Sequence, residues 1–301
     1  MRVTYRSYAK INLYLDVLNR RRDGYHNIET IFQSVSLADD IEFERRERGV
    51  ALECDRPDLP CDHSNLICRA ASLLQEHTGC DEGVHIRLRK RIPVAAGLAG
   101  GSGNAAATLL ALNRLWDLNL TPPRLHALAL ELGSDVPYCL VGGAAAATRR
   151  GEELESLPPL STAWLVLVHP PIAIGTGSVY ASPYLERNME RPFAGRTRSF
   201  RQALRALRAG NLAAAVFNRM ESAVFAKHLE LAELVARLVR AGCHVAAMSG
   251  SGPTLFGLCG SRDQAESVAA QIDDVKTTVV HTTREAVAAL APGSEARHGT
   301  S

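Results

Sequence analysis

The sequence predicts a two-domain protein that mixes α-helices and β-strands, and three observations support this prediction. The chain has 301 residues, 46% of them hydrophobic and 22% charged, which favours two folded domains over one. Segments with the period of a strand and segments with the period of a helix follow one another along it. The composition changes at Leu157, Pro158 and Pro159, so we expect residues 1–156 and 157–290 to be the domains and residues 291–301 to be a disordered tail.

The charge and the cysteines narrow the class of protein. A net charge of +2, with scattered basic residues, predicts no nucleic-acid partner, although the run Arg20-Arg21-Arg22 could be a solvated face or a local phosphate contact. No apolar run is long enough to span a membrane and the N-terminus does not resemble a signal peptide, so we expect a cytoplasmic protein without a membrane partner. The seven cysteines lack metal-ligand spacing and are expected to be reduced thiols, several of them in the core.

The first predicted element is a strand over residues 9–17, in which apolar and polar residues alternate. Lys10 and Asn12 share its polar face, where they either meet solvent or reach a ligand. A turn at Asp23-Gly24 follows, and then strands over residues 28–41, 41–47 and 50–54, with a turn at Asp39 and Asp40 between the first two. The order of these segments indicates an antiparallel sheet.

The remaining elements follow from caps, breakers and periodicity. In the first half we expect helices over residues 65–77, 109–118 and 125–132 and strands over residues 84–88 and 144–148. In the second half we expect strands over residues 164–168, 245–247, 254–258 and 275–282, a helix or turn over residues 176–180, and helices over residues 200–209, 212–217, 229–241 and 263–272.

A glycine-rich stretch between a strand and a helix is the strongest functional signal. Its members are small and leave the backbone amides uncovered: Pro93, Val94, Ala95, Ala96, Gly97, Leu98, Ala99, Gly100, Gly101, Ser102 and Gly103. The first turn of the following helix has amides without intrahelical partners, and the helix dipole adds positive charge there. The stretch therefore predicts a site for a di- or triphosphate, which we call the phosphate loop.

Three other interpretations of the phosphate loop compete with this one. A Walker-type loop requires a lysine directly after the glycines, and none follows. A dinucleotide fingerprint matches nominally from Gly101 to Ala106, but the acidic residue expected after a second strand has no counterpart. A flexible loop, in which the glycines only permit a tight turn, is the third interpretation, and the rest of the sequence argues against it.

Two further loops carry candidate residues. Asp135 lies between a predicted helix and a strand of small residues, where closely packed backbone leaves room for a ligand. A second glycine-rich loop, residues 248–253, lies between two predicted strands of the second half.

Taken in order, these motifs resemble those of the GHMP family of small-molecule kinases, over residues 1 to about 285. The motifs are Ala9-Lys10-Ile11-Asn12-Leu13, Asp23-Gly24-Tyr25-His26, the phosphate loop, Asp135-Val136-Pro137 and Ser249-Gly250-Ser251-Gly252. Two residues depart from the family pattern. Ala99 stands where glycine is usual, and Gly103 stands where serine or threonine is common, which leaves Ser102 as the hydroxyl nearest a phosphate or Mg²⁺.

The resemblance implies an α+β fold with ATP and substrate in a cleft between the two domains. It implies an ATP- and Mg²⁺-dependent kinase that phosphorylates a small molecule carrying a CDP group and that is a monomer or homodimer. Lys10 and Asp135 would be the catalytic pair, and the phosphate loop would hold ATP. Asn65, Leu66 and Lys90 resemble contacts to the ATP nucleoside, whereas Asn12, Tyr25, His26, Thr176 and Tyr180 resemble contacts to the cytidine and polyol of the substrate.

Two expectations about individual side chains follow. Tyr25 and Tyr180 should face each other across the cleft and stack on a pyrimidine. Valine at Gly100 or Gly101 should enter the phosphate space and weaken ATP binding. Two alternatives remain: a GHMP kinase acting on homoserine or a mevalonate-type alcohol, and a relative that binds small molecules without catalysis.

Overall fold

The structure, a computed structural model, describes residues 1–190, 192 and 195–291. The predicted disordered tail falls outside the described residues, except for residue 291. Its strands are β1 (Arg2–Arg20), β2 (His26–Arg46), β3 (Val50–Cys54), β4 (Gly83–Arg89), β5 (Ala144–Thr148), β6 (Glu153–Ser156), β7 (Trp164–Val168), β8 (Phe217–Asn218), β9 (Val245–Met248), β10 (Leu255–Cys259), β11 (Thr277–His281) and β12 (Val287–Leu290). Its α-helices are α1 (Leu66–Thr78), α2 (Gly100–Leu115), α3 (Pro122–Leu132), α4 (Val136–Val141), α5 (Thr176–Tyr180), α6 (Arg198–Arg208), α7 (Glu221–Phe225), α8 (Leu229–Arg240) and α9 (Arg262–Gln271).

A large sheet is built around the long antiparallel pair β1 and β2. Its strands run in the order β12-β1-β2-β4-β3, with β5 pairing with β2 and β6 pairing with β5. One face packs against α1, α2, α3 and α4, where Phe43, Ile86, Leu109 and Leu112 lie in one apolar cluster. The predicted antiparallel sheet is confirmed, apart from β3, which runs parallel to β4.

The predicted turn at Asp39 and Asp40 is wrong, because both residues lie inside β2. Their carboxylates are buried, and each is paired with basic groups. Asp39 accepts hydrogen bonds from Lys90 Nζ and from the backbone N–H groups of Arg91 and Ile92. Asp40 pairs with Arg6 and Arg91, which hold the pKa of its carboxyl below the usual value although burial alone would raise it. Both buried carboxylates therefore have ion-pair and hydrogen-bond partners in the protein, and the chain does not need a turn to expose them to water.

A second sheet, with strand order β11-β7-β10-β9, forms the other half of the molecule. Leu167 and Phe256 of this sheet share an apolar cluster with Ile11 and Leu13 of β1. Helices α8 and α9 pack against its strands. Both faces of β1 are therefore covered at Lys10 and Asn12, which are buried rather than solvated.

The predicted helix over residues 212–217 is wrong. Ala213–Ala215 form a short 3₁₀ turn, and Phe217–Asn218 form β8, which pairs in parallel with Tyr14 and Leu15 of β1. A segment this short cannot form a stable helix without tertiary support, and here the tertiary support comes from pairing with a strand. The other predicted elements are confirmed, although β1 begins seven residues and α2 nine residues before the predicted start. The two strands predicted over residues 28–47 are one strand, β2.

The chain finally returns to the first sheet. Strand β12 pairs with β1, so the last described strand joins the large sheet although it lies within the segment predicted as the second domain. Among the described residues, the helices are all too short or too polar to cross a membrane. The α+β architecture leaves a cleft where the phosphate loop meets the second sheet.

Candidate active site

The cleft has a volume of about 1130 Å³ and is lined by residues from both halves of the chain. It brings together every residue that the sequence analysis assigned to the site except Leu98 and Gly103, which are buried beneath it. Leu98 accepts a hydrogen bond from the backbone N–H of Lys10 at 3.1 Å and so fixes the loop to β1. Residues more than 200 positions apart therefore form one site.

The phosphate loop ends in helix α2, as predicted. The N–H groups of Gly100, Gly101 and Ser102 are in the first turn, where helix geometry provides no intrahelical acceptor. Gly101 is exposed to the cleft, and a Cβ atom there would contact Leu66 alone among the described residues, at 3.5 Å. The helix dipole and these amides make this part of the cleft wall favourable for an anion.

Not all glycines of the loop face the ligand space. A Cβ atom at Gly100 would lie 2.9 Å from the Ile92 side chain and 2.9 Å from Lys90 Nζ, so this position faces the protein interior. A Cβ atom at Gly103 would lie well under 3.0 Å from Ser7 Oγ. The expectation that valine at Gly100 would enter the phosphate space is therefore wrong, whereas it stays a prediction for Gly101.

The residue before α2 has a strained backbone. Ala99 adopts the left-handed conformation with φ 54°, which favours glycine because a Cβ atom approaches the following carbonyl. The departure from the family pattern at this position therefore carries an energetic cost in the structure.

The second glycine-rich loop packs directly on the phosphate loop. Ser249 Oγ donates a hydrogen bond of 2.9 Å to the carbonyl oxygen of Gly97, which has φ 75°. Gly250 lies over the same carbonyl and beside Asn12. The side chain of Asn218 donates to the carbonyl oxygens of Met248 and Gly250, at 2.7 and 2.8 Å. This loop therefore supports the phosphate loop from below, and its residues Gly250 and Ser251 also line the cleft.

Lys10 and Asp135 form the charged centre of the cleft. Lys10 Nζ lies 3.6 Å from Asp135 Oδ2, and the side chains are 5% and 37% exposed. Lys10 also donates a hydrogen bond of 2.7 Å to Asn12 Oδ1, and the Asn12 amide donates to Thr30 Oγ1 at 2.8 Å. The ammonium is thus fixed from β1, while the carboxylate, directly before α4, stays open to a ligand.

Two of the residues assigned to the ATP nucleoside are engaged with the protein itself. Asn65 caps α1 by accepting from the N–H of Ile67, and its amide donates to Pro60. Lys90 Nζ donates to Asp39 and to the Ile92 carbonyl, both at 2.7 Å. Their polar groups already have partners, so these side chains shape the wall of the cleft beside Leu66.

Aromatic rings line the opposite end. The rings of His26 and Tyr180 are stacked, with centroids 5.0 Å apart and an interplanar angle of 12°. The guanidinium of Arg150 lies over one face of Tyr25, and Tyr25 lines the same cleft as Tyr180, so the expectation that the two tyrosines face each other across the cleft stays a prediction. Thr176, at the start of α5, hydrogen-bonds through its hydroxyl to that of Ser251 at 2.8 Å.

His26 has a ring nitrogen that is free to bind a ligand. Its Nε2 atom is buried and has no hydrogen-bond partner among the described residues. Burial lowers the pKa of the imidazole, and the positive charges of Arg187 and Arg20 lower it further. Burial also raises the pKa of the hydroxyl of Tyr180, the ring that stacks on His26, so this hydroxyl stays protonated.

Some cleft residues were not assigned by sequence analysis. Asn104, in α2, is buried, lines the cleft, and has an Oδ1 atom without a partner among the described residues. Arg20, Arg150 and Arg187 line the aromatic end. Asn104 follows the phosphate loop directly and Arg20 belongs to the basic run, so these two had a signal in the sequence, whereas Arg150 and Arg187 had none.

Comparison with known proteins assigns this site to a class. A model of the N-terminal domain of GHMP kinases matches residues 65–143, and a model of their C-terminal domain matches residues 200–276. These matches comprise the phosphate loop, Asp135 and the second glycine-rich loop. The chain belongs to the GHMP kinase family and is a phosphotransferase that uses ATP.

The names of individual relatives describe a narrower class of kinase than the family models do. The chain is 44% identical to a 4-diphosphocytidyl-2-C-methyl-D-erythritol kinase of Moorella thermoacetica, over 90% of this chain and 95% of the relative. It is 41% identical to the enzyme of that name from Enterococcus faecalis, over 89% and 94%. A crystal structure of 4-(cytidine 5'-diphospho)-2C-methyl-D-erythritol kinase has a TM-score of 0.79 and 35% identity, covering 94% of this chain and 99% of that chain. A homoserine kinase from Cytophaga hutchinsonii, with a TM-score of 0.70 and 18% identity over 96% and 97%, shares the fold.

Proposed function

We propose that this GHMP kinase transfers the γ-phosphoryl group of ATP to the 2-hydroxyl of 4-diphosphocytidyl-2-C-methyl-D-erythritol, giving the 2-phosphate and ADP, a step of non-mevalonate isoprenoid biosynthesis. The observation that carries the proposal is the position of the Lys10–Asp135 pair. It lies in one cleft with the open amides of α2 on one side and the aromatic end on the other. The names of the relatives at 41–44% identity support the choice of substrate.

Phosphoryl transfer depends on positioning and on neutralising charge, and both are provided by this chain's own groups. Asp135 accepts a hydrogen bond from the substrate hydroxyl and orients its oxygen for in-line attack on the γ-phosphorus. Lys10, fixed by Asn12, keeps the carboxylate in place and stabilises negative charge on the phosphoryl oxygens. The N–H groups of Gly100, Gly101 and Ser102 bind the phosphates that stay with ADP.

The residues present fit a Mg²⁺ ion that enters with ATP. Mg²⁺ prefers oxygen ligands, and the cleft offers the Ser102 hydroxyl, the Asp135 carboxylate and the Asn104 amide oxygen, the last buried without a partner. When bound, Mg²⁺ neutralises charge on the phosphates. We propose that these oxygens, directly or through water, hold the ion.

The aromatic end is proposed to bind the cytidine. One face of Tyr25 is covered by Arg150, so the pyrimidine stacks on the other face, and His26 reads the cytosine edge through its unpartnered nitrogen or its backbone. Tyr180 supports His26 by stacking on it. Thr176, at the start of α5, and Asn12, beside Lys10, would contact the ribose and the polyol.

A coupled ADP-release assay tests the proposal. The panel consists of the full substrate, methylerythritol without the CDP group, homoserine and mevalonate, each at matched concentration with ATP and Mg²⁺. We expect turnover with the full substrate and at least about tenfold lower kcat/KM with the others, the loss expected from about 1.4 kcal/mol of lost binding. Methylerythritol phosphorylated as efficiently as the full substrate, or preferred turnover of homoserine or mevalonate, would contradict the proposal.

A further inference from the structure

Three arginines from separate parts of the chain meet at the aromatic end of the cleft. Arg20 ends β1, Arg150 lies in the turn between β5 and β6, and Arg187 follows α5. All three line the same cleft as Tyr25 and His26. Because they lie far apart in sequence, their convergence arises only in the folded protein.

The positive charges of these three guanidinium groups have few negatively charged or hydrogen-bonding partners in the described part of the protein. Among the described residues, the hydrogen-bond partner of the Arg20 side chain is the carbonyl oxygen of Gly24, at 3.4 Å. Arg150 forms an ion pair with Glu152, in which Nε lies 3.5 Å from a carboxylate oxygen, and this buried Nε has no hydrogen-bond partner among the described residues. Within the described part of the chain, Arg187 has no carboxylate at ion-pair distance.

Neighbouring arginines behave differently. Arg21, next to Arg20, donates to both carboxylate oxygens of Asp23, at 3.2 and 3.0 Å, and does not line the cleft. Arg22 is exposed and also lies outside the cleft wall. The run Arg20-Arg21-Arg22 is therefore divided, and only its first member contributes charge to the cleft.

The positive charge is centred on the rings that are proposed to bind the cytidine. Arg187 and Arg20 both act on the imidazole of His26, lowering its pKa. The guanidinium carbon of Arg150 lies 5.0 Å from the ring centroid of Tyr25. An anionic group attached to a pyrimidine nucleoside would meet three guanidinium groups here.

We propose that Arg20, Arg150 and Arg187 form the subsite that binds the diphosphate of the substrate. The inference rests on the proposed function, because it takes the nucleoside diphosphate as the ligand. A guanidinium presents parallel N–H donors that match two phosphate oxygens, and such charge-assisted bonds are stronger than neutral ones. The subsite selects a nucleoside diphosphate over a free nucleoside, and it is separate from the phosphate loop that binds ATP.

Calorimetry with cytidine and with CDP as probes tests the subsite. The measured quantity is the ratio of the two Kd values, which isolates the contribution of the diphosphate. We expect Arg20→Ala, Arg150→Ala and Arg187→Ala each to weaken CDP binding about tenfold while changing cytidine binding less than about twofold. Arg22→Ala is the matched control and should bind both probes as the wild type does.

Steady-state kinetics on the same variants give a second readout. The KM for the CDP substrate should rise about tenfold while the KM for ATP is unchanged, which a general loss of folding would not produce. A Kd ratio equal to that of Arg22→Ala in all three variants would overturn the inference, and so would equal losses for cytidine and CDP.

The two proposals can fail separately. If the full substrate is phosphorylated and the three variants still bind CDP normally, the subsite is wrong and the proposed function stands. If the full substrate is not phosphorylated but the preference for CDP over cytidine depends on the three arginines, the subsite is supported and the proposed function is wrong.

Discussion

Gly97 is the position where the contact between the two glycine-rich loops can be tested most directly. Its backbone has φ 75°, and a Cβ atom would lie well under 3.0 Å from the Ser249 carbonyl oxygen and 3.2 Å from that of Gly252. Both neighbours are backbone atoms, which cannot rotate away. Gly97→Ala should therefore separate the two loops.

The expected cost is the sum of two effects. An alanine in the left-handed region costs about 1–2 kcal/mol. Moving the loops apart also breaks the hydrogen bond from Ser249 Oγ to the Gly97 carbonyl, now 2.9 Å, for about 1 kcal/mol more. Alanine also lowers the conformational entropy of the unfolded chain, which offsets about 0.4–1 kcal/mol of this cost. The free energy of unfolding should fall by about 2 kcal/mol.

Urea denaturation of the protein without ligand measures this loss, and the KM for ATP shows its consequence for the site. Gly101→Ala is the matched control in the same loop, because its Cβ atom would lie 3.5 Å from Leu66, an ordinary contact. We expect the control to stay within about 0.5 kcal/mol of the wild type. A Gly97→Ala protein as stable as the control, with an unchanged KM for ATP, would refute the loop-contact argument.

Three further predictions concern single side chains. Asp135→Asn should lower kcat by at least about a hundredfold with little change in either KM, because the carboxylate acts on the reacting groups during phosphoryl transfer. Turnover at the wild-type rate would show that Asp135 has no part in the mechanism. Glu221 accepts a hydrogen bond from the N–H of Met248, and burial raises the pKa of its carboxyl from 4.5 to about 7. The protonated carboxyl therefore contributes to the free energy of unfolding below pH 4.5, and this contribution is lost as the pH rises through 7. Glu221→Gln should remove that loss, so the free energy of unfolding of the variant relative to the wild type should be higher at pH 8 than at pH 4 by up to about 3 kcal/mol. Urea titrations of both proteins at both pH values measure this difference, and the same pH dependence in the two proteins would contradict the prediction. Ala99→Gly relieves the left-handed alanine and should raise stability by up to about 1 kcal/mol, and a lower melting temperature would argue that the strain is absent.

The sequence by itself determined the features that rest on local chemistry. The phosphate loop was predicted because small residues before an apolar helix leave amides free, and α2 begins within this stretch, at Gly100, nine residues before the expected start of the helix. The alternation in β1 correctly placed Ile11 and Leu13 in the core. The motif order predicted the family and the cleft residues, because each motif needs only a few neighbouring residues to be recognised.

Only the tertiary structure decided the environment of each side chain. Lys10 is buried and Asp39 lies in a strand because residues far along the chain cover or neutralise them, and no local pattern encodes those partners. The same holds for the stacking of His26 on Tyr180 and for the contact of Ser249 with Gly97. Periodicity reports which face of an element is apolar, whereas the neighbour of a polar group depends on how the two sheets pack together.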